Sequence, residues 1–287
     1  MRDLITSGLK KLVKGDNRYK KGDKQGVVVA VATVKGGVGK TTTSVNLAAE
    51  LAANHNKRVL LVDLDAQGHC TTSLESVVDE PSAERRRVSQ ILMSDDDEQI
   101  LDAAVPTEVQ GLDITWADEG LAEAEGRISQ KIGKELLLRD ALNITRTHYD
   151  VILIDCPPNK GNLTLNALLA ADQALIPTDL SPLSVQGADE LIGTVMTVRN
   201  RLNHPLEILG VVLTRVDGRT VTINSEVMET IQEAWGELVV EQHIGINTKI
   251  AQAQLEGEPI HSYAPKSRGA EHYGKLAKEL VGRLERK

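Results

Sequence analysis

Aromatic residues are scarce in this sequence. Phenylalanine is absent, and aromatic residues make up 2% of the 287 positions, although 41% of the residues are hydrophobic. A core without many aromatic rings must rely on valine, leucine, isoleucine and alanine, which suits a parallel sheet covered by helices. The same scarcity argues against a protein that stacks single-stranded bases on aromatic side chains.

Cysteines and long apolar runs are also scarce. The two cysteines, Cys70 and Cys156, lack the spacing of metal-binding pairs, which indicates a reducing compartment. No run of about 18 apolar residues occurs, so we expect no membrane-spanning helix. The first residues lack the apolar core of a signal peptide, because lysines soon interrupt Leu4, Ile5 and Leu9. We therefore expect a cytoplasmic protein.

The net charge of −8 is unevenly distributed. Residues 1–26 carry eight Lys or Arg against three Asp or Glu, and residues 266–287 carry seven against three. Any contact with a polyanion must therefore use a local patch, because the protein as a whole is acidic. We predict that residues 1–26 form a basic, mobile N-terminal extension. It is either a solvated tail or an arm that touches DNA, lipid or a partner.

Apolar runs alternate with helical patterns from residue 27 onward. The predicted strands are residues 27–32, 59–62, 151–154, 173–177 and 208–214, with weaker ones at 112–116 and 238–242. The predicted helices are residues 42–53, 134–147, 163–170, 184–202 and 224–235. This alternation implies right-handed crossovers. It predicts a single α/β domain over residues 27–287, with a mainly parallel, doubly wound sheet flanked by helices.

A glycine-rich loop follows the first predicted strand. It reads Lys35, Gly36, Gly37, Val38, Gly39, Lys40, Thr41, Thr42. The glycines let backbone N–H groups curl around phosphates, and the dipole of the following helix adds positive charge. Lys40 can reach the β- and γ-phosphates of a nucleotide, and the Thr41 hydroxyl can bind Mg²⁺. Val34 stands where the strict P-loop pattern has its first glycine, but Lys35 and the flanking elements favour an MgATP site.

Three aspartates stand where predicted strands end, at the edge of an open α/β sheet where ligands bind. Asp155 fits a Walker B aspartate that holds Mg²⁺ through water. We assign Asp65 to the attacking water and to the metal shell, with Asp63 in support. One such acid alone could cap a helix. Three near one phosphate loop predict ATP hydrolysis, in which Lys35 and Lys40 are the catalytic cations and Thr41, Asp155 and Asp65 surround the metal.

These motifs, in this order, resemble the ParA/MinD branch of P-loop ATPases, and specifically the ParA/Soj partition ATPases. The resemblance extends from about residue 27 to residue 280. The matching segments are residues 35–43, 59–68, 149–158, 164–167, 212–214, 217–220, 267–271 and 276–280. Several independent motifs in the right order make the resemblance specific.

The resemblance implies a cycle driven by ATP. Lys35 matches the signature lysine that reaches across a sandwich dimer to the partner's ATP, and Thr214 and Asn247 match positions beside the adenine. In this family the ATP-bound dimer typically binds DNA non-specifically, and a ParB-like adaptor stimulates slow hydrolysis and releases it. We therefore expect a nucleoid-associated ATPase that uses ATP and Mg²⁺ to position or segregate a plasmid or chromosome.

Surface cations that match or neighbour the family's motifs are candidate DNA contacts. They are Arg219, Lys249, Lys266 and Arg268, each of which alone would be an ordinary surface charge. Contacts of these cations with phosphates would be salt-sensitive and largely independent of sequence.

Three short segments depart from the family pattern. Residues 244–247 read Ile-Gly-Ile-Asn where the family usually has Ile-Pro-Arg-Asn. Ala66 replaces a usual proline, and residues 159–161 read Asn-Lys-Gly in place of Ser-Leu-Gly. The departures suggest that the adaptor, or the DNA-binding face, differs from the family pattern.

Two alternative functions stay open. One is a MinD-like, membrane-associated ATPase, because the C-terminal run is amphipathic and could lie on a bilayer. Its apolar side lacks Trp and Phe, however, so we expect that helix to pack on the domain instead and expect no membrane contact. The other is a ParA-like ATPase that positions a protein cargo. A nitrogenase-type reductase is disfavoured because it needs cluster-ligating cysteines, and Cys156 is better interpreted as a small buried residue.

Overall fold

We describe the protein from a computed structural model that describes residues 19–217 and 221–285. Within these residues one seven-stranded sheet has the order β3-β4-β2-β5-β1-β6-β7. The strands are β1 (Val27–Val31), β2 (Val59–Asp63), β3 (Ala104–Pro106), β4 (Leu112–Thr115), β5 (Val151–Asp155), β6 (Gln173–Thr178) and β7 (Glu207–Leu213). Each neighbouring pair is parallel except β3 with β4, which is antiparallel.

Helices connect the strands and cover both faces of the sheet. The α-helices are α1 (Lys40–His55), α2 (His69–Thr72), α3 (Val88–Met93), α4 (Gly120–Ile128), α5 (Leu137–Leu142), α6 (Asn162–Ala170), α7 (Pro182–Arg201), α8 (Val221–Trp235), α9 (Thr248–Leu255), α10 (Ile260–Tyr263) and α11 (Arg268–Leu284). Short 3₁₀ turns lie at Ile100–Ala103, Thr145–Thr147 and Gly236–Leu238. The predicted fold class, a single α/β domain with a mainly parallel sheet, is confirmed.

The central strand β1 explains why the apolar run is continuous. Val28 and Ala30 face one hydrophobic cluster, whereas Val29 and Val31 face the other, and all four are fully buried. A strand buried on both faces needs apolar residues at every position instead of an alternating pattern. In the pairing of β2 with β5, Asp63 lies opposite Asp155, so the two strands deliver their carboxylates to the same edge of the sheet.

The predicted strand at 238–242 does not form. A 3₁₀ turn occupies Gly236–Leu238, and Val239 makes only an isolated bridge with Val211. Arg283 gives the physical reason, because its guanidinium donates to the carbonyls of Glu237 at 3.1 Å and Val239 at 3.0 Å. These carbonyls therefore accept hydrogen bonds from a side chain and not from the backbone of a neighbouring strand.

The predicted helix at 134–147 is interrupted. Only Leu137–Leu142 is α-helical, and a separate 3₁₀ turn follows at Thr145–Thr147. The Thr145 hydroxyl donates to the carbonyl of Ala141 at 3.2 Å and accepts from the backbone N–H of Leu101 at 3.0 Å. Such side-chain bonds compete with the main-chain ladder of a helix.

Residues 19–26 lie against the segment that leads into β5, at the end of the sheet where that strand begins. The N–H of Gly22 donates to the Thr147 hydroxyl at 2.8 Å, and the Lys24 ammonium lies 3.0 Å from the carboxylate of Asp150. The N–H of Gly26 donates to the carbonyl of Arg146 at 2.8 Å. Residues 1–18 lie outside the described residues, so for them the mobile extension stays a prediction.

The C-terminal helix α11 packs on the domain. Its apolar residues Tyr273, Leu276, Ala277 and Leu280 are at most 1% exposed and belong to the hydrophobic cluster that includes α1. The apolar side that could have faced a bilayer is therefore covered. Among the described helices none combines the length and apolar character needed to cross a membrane.

Candidate functional site

The glycine-rich loop connects β1 to α1 at the carboxyl end of the sheet. Gly37 and Gly39 have φ values of 81° and 79°, which lie in the left-handed region that glycine adopts without strain. Two residues that follow β7 hold the loop in place. The Thr214 hydroxyl donates to the carbonyl of Val38 at 2.6 Å, and the Arg215 guanidinium donates to the carbonyl of Gly37 at 2.8 Å. These two bonds fix the conformation of the loop.

Asp155 lies at the centre of a buried polar cluster beneath the loop. One carboxylate oxygen lies 2.7 Å from the Lys40 ammonium and accepts from the Thr41 hydroxyl at 2.8 Å. The other oxygen accepts from the Ser44 hydroxyl at 2.7 Å. Burial lowers the pKa of Lys40, but the adjacent Asp155 carboxylate outweighs burial, and the net pKa is raised. Lys40 is therefore positively charged at neutral pH.

Asp63 and Asp65 have different surroundings. The Asp63 carboxylate is 1% exposed and accepts from the N–H groups of Asp65 at 3.0 Å and Cys70 at 3.2 Å. Burial, together with the charge of Asp155, raises the pKa of Asp63 to about 7. Asp65 lines the cleft, and its carboxylate accepts from the N–H of Gln67 at 3.1 Å. Asp63 thus holds the turn that carries Asp65.

Lys35 lies on the outer side of the loop. Its ammonium donates to the Ser181 hydroxyl at 2.9 Å, at the start of α7. Ser181 in turn lies 2.9 Å from the hydroxyl of Ser184, and its N–H donates to Asp179 at 2.9 Å. Lys35 lines both the main cleft and a smaller recess of about 440 Å³ beside Asp179 and Arg215. It therefore stands apart from the Lys40–Asp155 cluster.

A cleft of about 780 Å³ runs from the loop to the segment before α9. The predicted nucleotide-site residues that line it are Lys35, Gly36, Gly37, Gly39, Lys40, Thr41, Thr42, Asp65, Thr214 and Asn247. Val38 does not line the cleft, because its side chain is fully buried and only its backbone shapes the loop. Asn247 caps α9 by accepting from the N–H of Lys249 at 2.8 Å.

The cleft fits a magnesium nucleotide. Its loop end offers two lysines and backbone N–H groups to phosphates. Thr41 and Asp65 line the cleft, and the Thr41 hydroxyl donates at 2.8 Å to the buried Asp155 carboxylate, so the oxygen donors that Mg²⁺ prefers are present. The other end is lined by Ile244, Ile246 and other apolar groups, which suit a flat base.

The candidate DNA contacts are placed as follows. Lys249 is exposed at the start of α9, and its ammonium lies 5.8 Å from the centre of the Tyr263 ring. Lys266 and Arg268 are exposed just before and at the start of α11. The start of α11 contacts α9, since a Cβ on Gly269 would lie 2.7 Å from Ile250. Arg219 lies outside the described residues.

Several site residues escaped the sequence analysis. Ser44 lies one helical turn after Lys40, so the i, i+4 spacing could have revealed it. Ser181 and Arg215 reach the loop from β6–α7 and β7, and no local pattern signals such contacts. Cys70 also lies close to the two buried aspartates. Its sulfur atom, one carboxylate oxygen of Asp63 and one of Asp155 lie within 4.8 Å of one another. Burial, followed by the charge of Asp155, raises the pKa of the Cys70 thiol, which keeps it protonated.

Comparisons with known proteins agree with this geometry. A family model described as an AAA domain matches residues 26–208. The sporulation initiation inhibitor protein Soj of Bacillus subtilis is 42% identical over 256 residues, which are 89% of this chain and 98% of Soj. The chromosome partitioning protein ParA of Caulobacter vibrioides is 39% identical over 258 residues, covering 89% of this chain and 94% of that protein.

A solved structure supports the interpretation of the cleft. The cobyrinic acid a,c-diamide synthase from Mycobacterium smegmatis, with bound ADP and magnesium, superimposes with a TM-score of 0.75 at 32% identity. The match covers 91% of this chain and 96% of that one. The similarity to each of these three proteins therefore concerns almost the whole domain and not only the phosphate loop.

Proposed function

The chain belongs to the ParA/Soj group of the ParA/MinD family of P-loop ATPases, and on that premise we propose that it is a partition ATPase working as an ATP-dependent sandwich dimer. The dimer binds DNA non-specifically, and a ParB-like adaptor stimulates its slow hydrolysis. The cargo is a plasmid or a chromosome region. The placement of Lys35, whose ammonium donates to Ser181 while Lys40 alone of the two loop lysines pairs with Asp155, carries this proposal.

The site residues divide the tasks of the proposed reaction among them. Lys40 neutralises the β- and γ-phosphates. Thr41 and Asp155, with Asp65, would hold the metal ion, which would neutralise phosphate charge. Asp65 orients the attacking water, and Asp63 holds the turn that carries Asp65 through its N–H. Phosphoryl transfer depends mainly on positioning and charge neutralisation, so this set of groups is sufficient for slow hydrolysis.

Lys40 must change partners during this cycle. In the present structure its ammonium lies 2.7 Å from Asp155, and both groups are almost fully buried. A buried ion pair of this kind keeps two charges compensated that would otherwise be costly. Phosphates in the loop would give Lys40 a second anionic partner, and Asp155 would then be able to help hold the metal. The ion pair thus preserves the site between nucleotides.

DNA binding is proposed for the face that carries Lys249, Lys266 and Arg268. These cations come from α9 and from the start of α11, which are in contact, and all three side chains are exposed. Arg219 completes the proposed set. Because the chain carries a net charge of −8, contact with a phosphate backbone requires a local basic region, and this face provides one.

One observation separates this proposal from the membrane-associated alternative, and none yet separates it from a protein cargo. Membrane association through α11 is disfavoured because the apolar side of that helix is buried against the domain. A protein cargo would use the same ATP cycle and differ in the adaptor, so the biochemical test of the cycle comes first.

The test is binding of the purified protein to non-specific duplex DNA and, in parallel, to anionic liposomes. Both are measured without nucleotide, with ADP and with a slowly hydrolysed ATP analogue. We expect DNA binding only with the analogue, weakening steeply as salt rises. A variant with Lys249, Lys266 and Arg268 changed to alanine should lose DNA binding and keep ATP binding. Liposome binding without DNA binding would favour the membrane-associated function instead.

A further inference from the structure

The end of the cleft opposite the phosphate loop is formed by residues 244–247, which the end of β7 holds on one side. The N–H of Ile244 donates to the carbonyl of Leu213 at 2.8 Å. The N–H of Val216 donates to the carbonyl of Ile244 at 3.1 Å, and the N–H of Ile246 donates back to the carbonyl of Val216 at 3.1 Å. These bonds do not use the N–H of Gly245, which points away from β7 and toward α11.

His272 of α11 receives that N–H. Gly245 donates to Nδ1 of His272 at 3.2 Å. The ring is packed directly against the glycine, because a Cβ at position 245 would lie 3.2 Å from Cε1 of His272. Tyr273, the next residue of the helix, is fully buried and lines the same cleft. A single hydrogen bond therefore connects the wall of the cleft to α11 through a titratable side chain.

Gly245 is one of the positions at which this chain departs from the family pattern, which usually has proline there. Proline has no backbone N–H and could not donate to His272. Glycine supplies the donor and also leaves room for the ring at 3.2 Å. The glycine and the histidine thus form a matched pair, and the departure acquires a structural reason.

We propose that His272 is a positioning residue of the nucleotide site, which holds the 244–247 segment in place through the N–H of Gly245. The proposal rests on the proposed nucleotide function of the cleft. Only an imidazole with a free lone pair on Nδ1 accepts this bond. Protonation places a hydrogen on Nδ1, removes the acceptor and frees the segment on its α11 side, while its backbone bonds to the residues at the end of β7 remain. Nucleotide affinity therefore falls when His272 becomes charged.

The charges around His272 set the direction of this effect. Burial is the main influence that lowers the pKa of His272, and the ring of His243, whose centre is 6.1 Å away, lowers it next. Glu271 opposes them, whereas Lys275 and Arg268 lower the pKa further. The ring is accordingly neutral at pH 7. The hydrogen bond is complete above the ordinary histidine value of 6.5 and is lost as the pH falls through the lower pKa of the folded protein.

The experiment measures the affinity for a fluorescent ATP analogue with Mg²⁺ between about pH 5.5 and pH 8. Wild type is compared with His272→Asn and His272→Ala. Asparagine offers its side-chain oxygen near the position of Nδ1 and does not titrate. We expect His272→Ala to bind about 2- to 10-fold more weakly at neutral pH, the loss of one hydrogen bond. At neutral pH, His272→Asn should bind the analogue with the same affinity as wild type. As the pH falls, its affinity should decrease less than that of wild type, because asparagine does not titrate.

His243→Asn is the matched control, since it changes the neighbouring ring and leaves the bond to Gly245 intact. It should keep the neutral affinity and move the acid decline to a higher pH, because a group that lowers the pKa of His272 is gone. If His272→Ala has the same affinity and pH profile as wild type, the inference is wrong while the nucleotide site stands. If wild type fails to bind the analogue at neutral pH, the proposed function itself is wrong.

Discussion

Ser44 offers a sharp test of the buried polar cluster beneath the phosphate loop. Its hydroxyl donates at 2.7 Å to one oxygen of Asp155, while Lys40 and Thr41 contact the other oxygen. Ser44 and Asp155 are at most 1% exposed, so water cannot replace a lost donor without entering the core. The change Ser44→Ala removes this one donor and leaves the charge of the cluster unchanged.

The expected cost follows from the charge on the acceptor. Hydrogen bonds to charged groups contribute about 1.5–3 kcal/mol to stability, and a buried carboxylate oxygen that loses its donor retains its desolvation penalty. We therefore expect the free energy of unfolding of Ser44→Ala to be about 2 kcal/mol lower than that of wild type. For a domain of this size, that loss lowers the Tm by about 4 °C.

Ser73 provides the control. Its hydroxyl is equally buried, at 4% exposure, but its oxygen has no hydrogen-bond partner among the described residues. Ser73→Ala should therefore be within about 0.5 kcal/mol of wild type or more stable. Urea unfolding of the three proteins without nucleotide, followed by circular dichroism, measures both changes. Equal stability of Ser44→Ala and Ser73→Ala would refute the argument that the Asp155 cluster depends on this donor.

Two further predictions follow from the same region. Thr214→Val removes the hydroxyl that contacts the carbonyls of Val38 and Thr178. Nucleotide affinity, measured by titration, should therefore fall several-fold. An unchanged affinity would show that other contacts hold the loop. Cys70 and Cys156 are fully buried, and burial raises the pKa of Cys156 to about 12. A thiol reagent at about pH 8 should therefore label neither cysteine before unfolding and both afterwards; rapid labelling of the native protein would contradict the packing.

The fold could be predicted because its signals are local. A continuous apolar strand, the glycine loop and a helix follow one another between residues 27 and 55, and the structure has β1, the loop and α1 in that order. The prediction of a strand at 238–242 is wrong because the carbonyls of Glu237 and Val239 accept hydrogen bonds from Arg283, more than 40 positions away. Contacts between distant segments are not encoded in a local pattern.

The candidate site divides in the same way. Lys40, Thr41 and Asp155 were predicted from a loop and a strand end, and they lie in direct contact. The partners of the loop were missed because they come from β6–α7 and β7 in the middle and last third of the chain, as with Ser181 and Arg215. His272 was equally hidden, since only the folded chain brings α11 to the segment around residue 245.

Lys35 leads to the most direct test of the proposed ATPase cycle. Analytical ultracentrifugation of the purified protein compares no nucleotide, ADP and a slowly hydrolysed ATP analogue, for wild type, Lys35→Ala and Lys57→Ala. Lys57 is a lysine at the opposite edge of the sheet, where it pairs with Glu285 at 3.2 Å. We predict a dimer with the analogue for wild type and for Lys57→Ala, and a monomer under all three conditions for Lys35→Ala. A Lys35→Ala protein that dimerises with the analogue as wild type does would contradict the account.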